Sequence, residues 1–293
     1  MAARTLRAAT RGSPLARWQA EHVVSLLRDL DAEIAVELVV VDTQGDRRLD
    51  VPIWELGGKG VFAKEVQAAV LDGRADFAVH SAKDLPSVVV PGLVIAAVPE
   101  RGDPRDALVG STLADLRAGA EVATGSLRRQ SQLAAARPDL RFVGLRGNMH
   151  TRVAKAADHD AVVVAATALD RLGLAAEISE RLPTDLVLPQ AGQAALAVEC
   201  REDDVNLGAL LAQIEHADTR RCIDAERAFL AELGGDCSLP AAAYATLTTA
   251  GEVSVEGRLL SVDGRTLLRA VLPDGAAVAR HLLASGGTDL LGR

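Results

Sequence analysis

The residues best suited to chemistry fall into two groups. The first is one cysteine, Cys237, in the stretch Glu226–Pro240, ERAFLAELGGDCSLP. A thiol on a loop behind Gly234 and Gly235 can be reached and can carry a group, whereas a thiol on a helix face usually serves packing. The second group sits at four strand-to-helix junctions. These are Arg11 ahead of Ser13, Lys83 with Asp84 after His80, Arg128 and Arg129 after Ser126, and Arg146 ahead of Gly147 with Arg152 about a turn on. Arginine in a first helical turn opposes the helix dipole, and an anion bound there removes the conflict. One such arginine reads as a surface ion pair; four junctions together read as an anion site. Asp84 is a carboxylate beside Lys83. It reads either as a loop cap or as a general acid/base that also stabilises a developing cation. His80, ending an apolar strand, reads as a structural residue. Gly57-Gly58-Lys59-Gly60 lacks the GxxxxGK-Ser/Thr pattern, so nucleotide binding has little support.

These residues need strands that end at one rim. Thr5–Thr10 reads as a strand, and Ser13 with Pro14 as the start of a helix to about Leu30. Ile34–Val41 is rich in branched residues, the kind buried in a parallel sheet. Residues 42–59 read as a long loop, expected to act as a lid. Gly60–Leu71 reads as helix, and Asp76–His80 and Leu93–Val98 as strands. Residues 100–110, ERGDPRDALVG, read as a turn-rich crossover. Glu121–Thr124, Arg141–Leu145 and Ala161–Ala165 read as strands. Helices are expected after Ser126, after Asn148 to about Ala157, and over Thr167–Leu172. The alternation implies βαβ units and parallel sheets, with ligands at the C-terminal strand ends. PQAGQAALAVEC then reads as a turn and a strand returning to the first domain. Glu226–Leu233 is an amphipathic helix ended by glycine. Ala243–Thr249, Val253–Val262 and Leu267–Leu272 read as an antiparallel sheet with hairpin turns. The expected fold is α/β: domain one 1–98 with 194–216, domain two 99–193, and an α+β domain 217–293 that carries Cys237.

The chain has 293 residues, 49% of them hydrophobic and only 2% aromatic, so a core of Ala, Val and Leu is expected. A net charge of −8 argues against nucleic acid as a partner. Three widely spaced cysteines, Cys200, Cys222 and Cys237, make neither a disulfide framework nor a zinc site, and no metal is expected. With no signal-peptide core and no apolar run of ~18 residues, the expectation is a cytoplasmic, soluble protein without membrane contact.

Over nearly its whole length the chain resembles the porphobilinogen deaminase family. The resemblance is carried by ATRGSPLARWQA, TQGDRRLD, GGKGVFAKE, HSAKDLPS, PRDALV, GSLRRQSQL, LRGNMHTR, LPQAGQAALAVECR and ERAFLAELGGDCSLP. It implies two domains like periplasmic binding proteins and a third that holds a dipyrromethane cofactor by a thioether to Cys237. It implies condensation of four porphobilinogens head to tail with loss of ammonia, giving hydroxymethylbilane, in a monomer. By resemblance Asp84 is catalytic. Lys83, Asp84, Thr124, Ser126, Arg128, Arg129, Arg146 and Gly147 hold cofactor, and Arg11, Ser13, Lys59, Phe62, Arg146 and Arg152 hold substrate. Each pyrrole brings an acetate and a propionate, so the growing chain is a polyanion that such a rim suits. The sequence departs from the family pattern at Ala82, Gly125, Met149-His150, Ala194 and Asp236. Two other readings stand beside this one: a non-enzymatic two-domain binder of small anions, and a thiol enzyme pairing Cys237 with His80.

Overall fold

The computed structural model describes residues 5–47, 60–234 and 239–291. In chain order the first sheet takes β1 (Leu6–Arg11), β2 (Val36–Val41), β3 (Phe77–Ser81) and β4 (Leu93–Ala97). Around them lie helices α1 (Pro14–Leu30), the single turn α2 (Gln44–Arg47) and α3 (Lys64–Leu71). The second sheet takes β5 (Asp106–Val109), β6 (Glu121–Ala123), β7 (Arg141–Val143), β8 (Ala161–Ala165) and β9 (Glu180–Leu182). Its helices are α4 (Leu127–Ala136), α5 (Met149–Ala154) and α6 (Ala166–Arg171). The chain then returns to the first sheet as β10 (Leu196–Arg201), followed by α7 (Val205–Leu211). Helix α8 (Ala217–Glu232) leads to β11 (Ala241–Leu247), β12 (Val253–Leu260), β13 (Leu267–Leu272) and α9 (Gly275–Leu282).

Among the described residues the sheet orders are β2-β1-β3-β10-β4, β7-β6-β8-β5-β9 and β11-β12-β13. The first two share one plan: strands running one way, crossed by a single antiparallel strand, β10 or β5. The architecture is therefore two five-stranded mixed sheets with α/β connections and a small antiparallel α+β unit. The expected parallel pairing holds between β1, β2 and β3 and between β6, β7 and β8, and β10 and β5 depart from it by running antiparallel.

Local sequence explains the elements that reach the rim. Ala8 and Ala9 are fully buried, which lets β1 pack between its neighbours under α1. Ser13 Oγ accepts the Ala16 N–H at 3.3 Å and Pro14 opens α1. Ala16, Ala20, Val23 and Leu27 then give α1 a buried stripe at helical spacing. The third sheet packs Ala241, Ala243, Val255 and Leu259 on Phe229, Val278 and Leu282 of α8 and α9. Gly234, at φ +59°, ends the helix as expected, although that helix begins well before Glu226.

Several elements differ from the sequence reading. β2 is an edge strand rather than a buried one, with Val40 44% exposed. The supposed crossover at 100–110 contains β5, a buried inner strand of the second sheet. β9 and α9 were not anticipated. Ser126 occupies the N-cap position of α4, but its hydroxyl makes no capping bond. Most of the proposed lid, residues 48–59, lies outside the described residues.

Ala194 is the one non-glycine residue with positive φ (+70°) among the described residues. Alanine in that region costs about 1–2 kcal/mol. Its carbonyl is fixed by Arg171 Nη2 at 2.7 Å and the Gly102 N–H at 3.3 Å. Close by, a buried carboxylate joins the three sheets. Glu226 of α8 lies 2.6 Å from Arg101 Nη1 and accepts the Gly192 N–H at 2.7 Å and the Ala245 N–H at 2.9 Å. Both passages between the first two sheets are thereby tied to the helix that leads to Cys237.

Candidate active site

Arg11 ends β1, Lys83 and Asp84 follow β3, Ser126 and Arg129 follow β6, and Arg146 and Gly147 follow β7. These C-terminal strand ends face one cavity of about 650 Å³ between the first two sheets. Arg11, Ser13, Phe62, Lys83, Asp84, Ser126, Arg129, Arg146, Gly147 and Arg152 all line it. Leu230 of α8 lines it too, so the helix ahead of Cys237 reaches the cavity wall. Ala82 is buried just behind it. Met149 and His150 form part of the wall. A Cβ on Gly125 would sit 2.6 Å from the Leu145 carbonyl oxygen, so any larger residue there would require the turn to move. Cys237, Asp236 and Lys59 lie outside the described residues.

Two assigned residues do not line the cavity. Thr124 is buried, and its hydroxyl accepts the Ser126 N–H at 3.3 Å, which shapes the turn into α4. Arg128 is 2% exposed. Its Nη1 contacts the Leu188 carbonyl at 2.7 Å and lies 2.7 Å from Asp106 Oδ2. Arg129 donates from Nε to Asp106 Oδ1 at 2.9 Å. Asp106, fully buried on β5, therefore holds both arginines. Burial by itself would raise its carboxyl, but Arg128 and Arg129 outweigh that and hold it well below the usual carboxylate range.

Gln193 completes the support. Its amide donates to Asp106 Oδ1 at 2.8 Å and to the Pro104 carbonyl at 2.7 Å. Its Oε1 accepts from Lys83 Nζ at 3.3 Å and lies 3.5 Å from Arg129 Nη2. The segment reaches Lys83 because Gly192 has no side chain: a Cβ there would lie 2.8 Å from the Lys83 nitrogen. Asp106, Gln193 and Glu226 are the residues that the sequence reading missed. The available signal was a carboxylate opening the apolar run DALV after a proline.

The cavity holds a surplus of positive charge. Lys83 opens partly onto it but is otherwise walled in. Burial, with Arg129 nearby, lowers its pKa to about 8. Arg152 is lowered to about 10 by burial and by Arg129 and Arg146. Arg11 lies over the Phe62 ring, 4.1 Å from its centroid. Such mutual repulsion is what a bound polyanion relieves.

A pH dependence follows for Lys83. Its folded pKa lies below the unfolded value, so the cost of holding its charge is fully present below pH 8. That cost fades between about 8 and the unfolded value near 10.5, as the folded protein releases a proton that the unfolded chain keeps. Carboxylate binding needs the charged amine. KM for an anionic pyrrole substrate is expected to be flat up to pH 8 and to rise above it. A Lys83→Arg variant should carry that rise beyond pH 10; an identical rise in the variant would assign it to another group.

The remaining thiols are not candidates. Cys200 and Cys222 are buried, and burial raises both, Cys200 to about 11. His80 is 6% exposed and its Nε2 lies 3.1 Å from Glu199 Oε2, the oxygen to which Gln67 Nε2 donates at 2.9 Å. It is a structural residue, as its strand position suggested.

A paired α/β cleft lined by arginine and lysine has the charge and the room that a polycarboxylate requires. A family model described as "Porphobilinogen deaminase, dipyromethane cofactor binding domain" matches residues 6–209, and "Porphobilinogen deaminase, C-terminal domain" matches residues 220–280. The chain is 46% identical to a porphobilinogen deaminase of Nitratidesulfovibrio vulgaris over 97% of its own length and 95% of that protein's. It is also 46% identical to the enzyme of Xanthomonas euvesicatoria over 98% of both. Among solved structures, a methionine-bound nutrient binding protein of Burkholderia cenocepacia aligns at a TM-score of 0.42, with 13% identity over 71% of this chain and 90% of that one. The chain belongs to the porphobilinogen deaminase family.

The residues fit the dipyrromethane that this family's domain binds. Five cationic side chains face one cavity, and Nε and Nη2 of Arg128, buried beside it, have no hydrogen-bond partner among the described residues. Unsatisfied donors of this kind call for an acceptor.

Proposed function

We propose that this protein is a deaminating transferase. It condenses four porphobilinogens head to tail on a dipyrromethane primer joined to Cys237, then releases hydroxymethylbilane by hydrolysis. The observation that carries this reading is the cation-lined cavity with Asp84 on its wall. The primer supplies a nucleophilic pyrrole carbon. Arg11, Arg146 and Arg152 hold the acetate and propionate of the incoming pyrrole, while Lys83, Arg129 and Arg128 hold those of the primer. Asp84 accepts the pyrrole N–H and lies against the positive charge that develops as ammonia leaves. Holding both partners in one cavity makes each condensation a local event.

The same reading divides the chain into 1–98 with 194–216, 99–193 and 217–293. It also takes the enzyme to be a cytoplasmic monomer acting on a small molecule, without nucleic acid or membrane. No helix among the described residues is long and apolar enough to cross a membrane. Purified protein incubated with porphobilinogen should release ammonia and hydroxymethylbilane in a ratio of four to one. Tight binding of the pyrrole without ammonia release would return the anion-binder reading.

A further inference from the structure

We propose that Arg258, on β12 of the third sheet, is a positioning residue that sets Arg128 beside the cavity, acting through Gln132 and the Leu188 peptide. The proposal rests on the reading of Arg128 as a carboxylate-binding residue. Arg128 and Gln132 are one helical turn apart on α4 and so share a face. Gln132 is 3% exposed and uses both ends of its amide. Its nitrogen donates to the Leu188 carbonyl at 3.0 Å and to the Arg128 carbonyl at 3.2 Å. Its oxygen accepts the Leu188 N–H at 2.9 Å and Arg258 Nη1 at 3.1 Å. The Leu188 carbonyl is also the acceptor on which Arg128 Nη1 rests, at 2.7 Å. One residue, Leu188, gripped by Gln132 at both its N–H and its carbonyl, therefore fixes the guanidinium.

Arg258 reaches this group from another sheet, 126 residues along the chain. It is 6% exposed, and besides Glu256 its partners are neutral: the Asp185 carbonyl at 2.7 Å and the Leu186 carbonyl at 3.3 Å. Glu256 is itself shared with Arg269 at 2.8 Å. A buried guanidinium with a divided counter-charge is a poor source of stability, and an apolar side chain of its size would usually serve packing as well. What an apolar residue cannot do is hold three acceptors in fixed directions. A second contact keeps the same register. Gly264, in the hairpin between β12 and β13, lies so close to α4 that a Cβ would sit 2.6 Å from the Ser131 carbonyl oxygen. The sheet that follows Cys237 in the chain is thus seated on the helix that carries Arg128 and Arg129, and Arg258 passes that seating to Arg128.

The test is a double-mutant cycle. Arg258→Met and Arg128→Lys are made singly and together, and Arg258→Lys serves in the same cycle should the Met variant not fold. For each, the thermal midpoint, the fraction of chains carrying the pyrrole adduct by intact mass, and kcat/KM are measured. Arg258→Met is expected to lower kcat/KM about tenfold, within the range of coupling for residues in one network, and to slow adduct formation in apoprotein given porphobilinogen. In the Arg128→Lys background those losses should vanish while the fall in midpoint persists. A lowered midpoint with unchanged kinetics and adduct, or kinetic losses that add, would overturn the relay alone. Unaltered kinetics in Arg128→Lys itself would remove the carboxylate-binding role of Arg128, and the relay with it.

Discussion

Asp84→Asn is expected to lower turnover by at least about a hundredfold, the scale of a lost charge-stabilising or proton-handling carboxylate, while leaving the protein folded and its adduct in place. Asp84 lines the cavity from the 3-10 turn after β3, in the company of Lys83, Arg129 and Arg152. Asparagine keeps the shape and still accepts a pyrrole N–H, but it cannot answer the positive charge left as ammonia departs. The loss should therefore appear in kcat more than in KM. Single-turnover kinetics with porphobilinogen check this, and a variant turning over at near-normal rate would take Asp84 out of the chemistry.

Asp106→Ala is expected to have the largest effect on stability. It leaves Arg128 and Arg129 buried without their common counter-ion and strips Gln193 of an acceptor. Removing one partner of a buried ion pair costs about 3–5 kcal/mol, which corresponds to a thermal midpoint lower by roughly 10 °C in a chain of this size. Because the carboxyl of Asp106 is held below its ordinary range, its contribution is present above the unfolded carboxylate pKa and is lost only as pH falls through the lower folded value. The wild-type protein should therefore keep this contribution at pH 4–5, and the gap in midpoint between wild type and Asp106→Ala should persist there. A gap that closes by pH 5 would mean that Asp106 is not the counter-ion described here.

The rim was legible because its residues announce themselves locally. Ser13 with Pro14 marks a helix start, and arginine in a first helical turn is a conflict visible in the sequence. Their convergence on one cavity follows from the rule that ligands meet the C-terminal ends of strands. The supports behind the rim were not legible. Asp106 opens a four-residue strand behind a proline, which by local signals reads as a turn. Gln193 and Glu226 act through partners tens of residues away, and nothing near them marks a buried amide or carboxylate. Arg258 looks like any strand arginine until α4 is packed against it. β2 was read as buried because its residues are branched, yet sheet order places it at an edge. Side-chain type reports what a strand tolerates, and only pairing decides its position. In Ala194 the positive φ was hidden because alanine gives no warning of it.

A primer tied to one sulfur inside a cationic trough is tested most directly by the intact mass of the purified protein beside that of Cys237→Ser. The wild type should exceed its chain mass by the mass of two linked pyrroles and stain with a pyrrole aldehyde reagent, and the variant should do neither. An active wild-type protein with the bare chain mass, or an adduct that survives in Cys237→Ser, would contradict the account.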